Sequence, residues 1–153
     1  MGLLSRFFSG STRKLLEQMH CDTDVILVAV FHKLLPHFKM EYGDDRGCTI
    51  TAAVTNKLFG KVSPVHSKQD LELAERFAAD ILRSDAEVRY AALMSCRAIL
   101  LHEADIKSGN EMFVWDTIQW MSTIWTLPPD PATPHGIREL ALTFHDKYIP
   151  KKK

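Results

Sequence analysis

The sequence predicts an all-α fold: a compact bundle of six to eight helices forming a single domain over residues 1–153. Three observations carry this. Apolar residues recur at three- and four-residue intervals along most of the chain. Glycines and prolines (Gly10, Gly43, Gly47, Gly60, Gly109 and Gly136; Pro64, Pro128, Pro129, Pro131, Pro134 and Pro150) fall where such stretches end or begin. Ser, Thr and Asp stand just ahead of several of them, where their oxygens can accept the unpaired N–H groups of a first helical turn.

In chain order, residues 1–10 form an amphipathic N-terminal segment. In GLLSRFFSG, Leu3, Leu4, Phe7 and Phe8 share one helix face, and Arg6 is the lone charge. Residues 11–20 follow as a short helix capped by Ser11 or Thr12. Asp22-Thr23 caps a second helix over 23–41, whose face is Leu27, Phe31, Leu34, Leu35 and Phe38. Pro36 should kink or end it. Val25–Phe31 is unbroken apolar sequence that also suits a central strand; the helical pattern continuing through LLPHFKM favours helix. Residues 49–59 form a shorter helix, with the same alternative open at 48–54, and Gly43–Gly47 before it has turn composition.

Ser67 and Asp70 open a helix with the face Leu71, Ala74, Phe77, Ala78, Ile81. Ser84-Asp-Ala-Glu87 has capping-box spacing and starts a helix to about Asp105; Ser108-Gly-Asn-Glu111 repeats the device for a helix to about Thr126. The face of the latter is Val114, Ile118, Met121 and Trp125, flanked by Phe113, Trp120 and Ile124. LPPDPATP (127–134) is a stiff connection, and Thr133-Pro134 caps the last helix. Its face is Ile137, Leu140, Ala141, Phe144 and Tyr148, and 150–153 form a polar tail.

Nineteen basic residues balance nineteen acidic ones. That balance argues against nucleic acid as a partner. Three cysteines (Cys21, Cys48, Cys96) make no disulfide framework. No secretory leader or membrane-spanning run is apparent, so the expected location is cytoplasmic.

No stretch matches a phosphate loop, a dinucleotide fingerprint or a nucleophile elbow, so the sequence favours a non-enzymatic role and implies no cofactor. A metal site would draw on His32, His37, Glu41, His102 and His145 from facing helices. On a straight helix His32 and His37 diverge, whereas His37 and Glu41 share a face. Cys96 sits among Ala92, Ile99 and Leu100 and reads as a small buried hydrophobe. Trp115 and Met112 lie off the apolar face of their helix, which suits either a second packed layer or a binding patch.

SDAEVRYAALMSCRAIL (84–100), after the helix at 69–83, is similar to one HEAT-type helical hairpin: an acidic turn, Val88-Arg89, then a helix rich in small residues. The likeness covers about a fifth of the chain and has no second copy. It implies stacked hairpins and an interaction scaffold.

The expected function is therefore a binding or adaptor module. Leu3, Leu4, Phe7, Phe8, Met112 and Trp115 are its candidate contacts with a protein partner or a second copy. The alternatives are a metal- or cofactor-binding helical-bundle enzyme, and a peripheral membrane protein using residues 2–10 with Arg6, Arg13 and Lys14. The same N-terminal segment also suits closure of the protein's own core.

Overall fold

The computed structural model describes residues 10–62, 66–106 and 111–151. Among these there are six helices and no strand: α1 (Gly10–Tyr42), α2 (Asp44–Leu58), α3 (Lys68–Ser84), α4 (Ala86–Ile106), α5 (Glu111–Ser122) and α6 (Pro134–Tyr148). The helical alternative thus holds at both 24–31 and 48–54. The candidate contacts Leu3, Leu4, Phe7 and Phe8, and the capping sequence at 108–110, lie outside the described residues.

α1 is the hub. At 33 residues it is roughly 50 Å long at 1.5 Å per residue. It packs against α2, α4 and α6. Leu16, Met19, Ile26, Ala29, Val30 and Phe38 are its buried apolar side chains. Opposite-end contacts fix the directions of its neighbours. Lys33 meets Asp85 near the start of α4, while His20 stacks on His102 near its end, so α4 runs antiparallel to α1. Asp22 meets Arg138 early in α6, and Lys33 lies over Tyr148 at its end, so α6 runs parallel to α1.

Several boundaries differ from the sequence reading. The two helices expected at 11–20 and 23–41 are one. Asp22 and Thr23 do not cap a new start: both are buried inside α1. Thr23 Oγ1 donates back to the His20 carbonyl at 2.6 Å, and Asp22 accepts from Gln18 and Arg138. Pro36 lies inside α1 without ending it. Pro36 and His37 are on the exposed side, where solvent can hydrate the carbonyl that proline leaves without a donor.

The Gly43–Gly47 stretch is not an open loop. Gly43 alone makes the bend, at φ 87°, and Asp44–Gly47 is the first turn of α2. A Cβ on Gly47 would sit 2.6 Å from Lys39 Cα, so the absent side chain lets the two helix backbones touch.

The cap of α4 is Asp85, not Ser84. Asp85 Oδ1 accepts from Val88 N at 3.0 Å, while Ser84 ends α3 by bonding the Asp80 carbonyl. Leu71, placed on the buried face of α3, is exposed; Ala74, Ala78 and Leu82 hold that face instead. The Thr133 cap stands as expected, accepting from Gly136 N at 3.0 Å, and Ile137, Ala141 and Phe144 are buried. Arg97 pins the proline-rich connection through the carbonyls of Pro128 (2.7 Å) and Asp130 (2.5 Å). Because α1 runs through the middle and touches α2, α4 and α6, the packing is that of a bundle rather than a row of hairpins.

Candidate functional site

α5 packs chiefly on α4. Val114, Ile118 and Met121 form its buried stripe, as the three- and four-residue spacing requires. Gly60, at φ 68°, lets the chain after α2 come close to this helix: a Cβ there would lie 3.0 Å from Val114 Cα. Trp120 is covered by Lys57, whose ammonium lies 4.4 Å from the ring centroid, and Arg89 covers Trp125 at 4.8 Å. Both tryptophans are thus half-buried under a cation, a favourable arrangement for the ring quadrupole.

The remaining side of α5 is open. Met112 is 67% exposed, Trp115 51% and Phe113 50%. Met112, Trp115, Asp116 and Gln119 follow the i, i+3, i+4, i+7 spacing of one outward face, and Phe113 borders it. Phe113 was expected to flank the core; one position along from Met112, it instead extends the exposed apolar face. Leu101 of α4 is also half exposed, and α4 and α5 pack on each other.

The residues considered for a metal do not assemble. His37 and Glu41 stand 3.5 Å apart on the exposed side of α1. His102 instead stacks on His20, ring centroids 4.3 Å apart. His145 is exposed on α6 beside Asp146, at 3.6 Å. His32 lies edge-on to Phe31. Among the described residues no three His, Cys, Asp or Glu side chains come together as ligands. Cys96 is fully buried, its Sγ 3.6 Å from the Leu58 carbonyl oxygen, and burial pushes its thiol up to about 12. At neutral pH it is therefore a thiol, not a nucleophilic thiolate.

Two polar clusters were not legible as such in the sequence. In the first, Glu87 joins three elements. It accepts from the Tyr148 hydroxyl and from Lys147 at 2.9 Å, and lies 3.4 Å from Lys33, which also bonds Asp85 at 2.6 Å. The Tyr148 hydrogen bond, aided by Lys147 and Lys33 and opposed by partial burial, lowers the Glu87 carboxyl to about 2. Its groups are spent on one another, which makes it a clamp between α1, α4 and α6 rather than a reactive centre. In the second, Arg138 and Gln18 both hold Oδ1 of the buried Asp22. Elsewhere Arg46 grips Asp70 with two bonds of 2.8 and 2.6 Å, tying α2 to α3.

Among the described residues no helix is long and apolar enough to cross a membrane. No family model, curated protein or solved structure matches the chain, so the HEAT-like hairpin remains a local likeness.

Proposed function

We propose that the chain is a non-catalytic binding module that docks another protein on the open face of α5. The observation that carries this reading is the exposure of Met112, Phe113 and Trp115 together on a helix whose other side is well packed. Tryptophan dominates the energetics of many interfaces, because its large ring excludes water over a wide area. Methionine adapts to the shape of what it meets. The near-neutral charge of the chain suits a partner recognised by shape and apolar contact rather than by long-range field.

The reading is tested with a photo-crosslinking residue in place of Met112, introduced in cells of the source organism, with and without Trp115→Ser. A discrete adduct that Trp115→Ser removes, with thermal melting unchanged, is the expected result. Sedimentation of the purified protein then separates a second copy of the chain from a different partner. A monomeric protein that gives no discrete adduct would overturn the reading.

A further inference from the structure

Between the N-terminal half of α1 and the start of α6 lies an open cleft of about 360 Å³, lined by Leu15, Gln18, Met19, Asp22, Pro134, His135 and Arg138. That volume falls within the usual range of small-ligand sites. Its walls are mostly apolar, from Leu15, Met19 and Pro134. Among the polar residues that line it, Asp22 is the buried one. Its side chain is 3% exposed, and its two oxygens differ. Oδ1 accepts from Gln18 at 3.1 Å and from Arg138 at 3.0 Å. Oδ2 is buried and has no partner. A buried carboxylate oxygen without a donor is costly, so the unfilled acceptor of a residue that lines a cleft is a place for a ligand donor.

Arg138 supplies the complementary half. Its side chain is 53% exposed, and one Nη1 contact holds Asp22. A guanidinium has five N–H donors in a flat fork, so the edge facing away from Asp22 can take a carboxylate.

The charge balance narrows the ligand class. Arg138 already offsets Asp22, and His135 stands on the lip, 3.1 Å from Glu139. A bare cation would add net charge to a neutral pair beside the positive end of α6, and a bare anion would face the Asp22 carboxylate. A zwitterion adds no net charge. One acceptor oxygen suits an ammonium, whose donors act singly, better than a second guanidinium, which needs both oxygens.

We propose that this cleft binds a small zwitterion with an apolar body, an α-amino acid in chemical class. Its ammonium bonds Asp22 Oδ2, its carboxylate meets the outer edge of Arg138, and its side chain lies on Leu15, Met19 and Pro134. Since Oδ2 is closed to solvent, a half-exposed wall side chain such as Leu15 must turn to admit the ammonium, while Arg138 keeps its bond to Oδ1. The proposal does not depend on the α5 surface.

Calorimetric titration of the full chain with three probes tests it: L-leucine, isoamylamine (which lacks the carboxylate) and 4-methylpentanoate (which lacks the ammonium). Leucine should bind about tenfold or more tightly than either fragment, because each fragment forfeits one charge-assisted hydrogen bond. Asp22→Asn, which replaces the free acceptor with a donor, should weaken leucine at least about tenfold. Should that variant fold poorly, Arg138→Gln, altered at an exposed group, should lose the preference for leucine over isoamylamine. Heat from none of the probes would overturn the proposal. So would isoamylamine binding as well as leucine, or 4-methylpentanoate binding as well as leucine with leucine unaffected by Asp22→Asn, since the latter describes a simple anion site on Arg138.

Discussion

α1 and α5 have similar sequence character and opposite fates. Each carries apolar residues around most of its circumference, so neither shows one sharply greasy side. α1 is covered by α2, α4 and α6, and Leu16, Met19, Ile26, Ala29, Val30 and Phe38 disappear into the core, while Leu15, Val28 and Met40 lie outside it. α5 is covered chiefly by α4, and Met112, Phe113 and Trp115 stay in solvent. An apolar stripe says that a surface wants covering; it does not say what covers it. In α1 the rest of this chain does so. For α5 the proposed cover is another protein. The two helices should therefore respond differently to substitution.

The largest effect belongs to Phe38→Ala. Phe38 is 2% exposed and meets Phe77 edge-on, ring centroids 5.0 Å apart. Truncating a buried Phe costs about 3–5 kcal/mol, read by chemical denaturation. Gly47→Ala should follow at about 2–3 kcal/mol, since its methyl would meet the Lys39 backbone rather than a side chain that can swing away. If Gly47→Ala were neutral, the close approach of α1 and α2 would not be what sets their packing.

Such contacts mark the limit of what the sequence discloses. Helix by helix the pattern was readable, because local spacing, Thr133 and the Gly and Pro positions are local signals. The failures share a cause: a distant residue decides. Asp22 resembles a cap until Arg138, 116 residues away, is beside it. Glu87 resembles half of a capping box, yet its partners lie 54, 60 and 61 residues off, and Asp85 does the capping. Gly43–Gly47 reads as turn composition because nothing local reveals that Lys39 of α1 will lie against Gly47. For the candidate site, the off-face position of Trp115 and Met112 followed from helix periodicity. The free oxygen of Asp22 did not, since it depends on where Gln18 and Arg138 place their donors.

The Glu87 clamp between α1, α4 and α6 should respond to acid. Its carboxyl titrates at about 2 in the fold, against 4.5 ordinarily. The stabilisation is therefore complete above about pH 4.5 and is lost as pH falls from there toward 2. One-third exposure of the side chain weakens the effect by solvent screening. Glu87→Gln should cost about 1–2 kcal/mol at pH 7 and make melting less steeply dependent on pH between about 5 and 2. An identical pH profile in the variant would mean that other carboxylates carry the acid response.

The smallest expected change is the one that bears most on the comparison. Trp115→Ser, made alone or with Met112→Ser, should move stability by less than about 0.5 kcal/mol, because substitutions at exposed positions away from packing rarely do more. The same pair at Phe38 and Met19 of α1 would unfold the protein. A helix that gives up its large apolar side chains without cost is not using them to fold. Association lost while the melt holds would assign them to an interface. A stability lowered by about 2 kcal/mol or more would instead make the outer face of α5 part of the protein's own packing, and α5 would join α1 as a core helix.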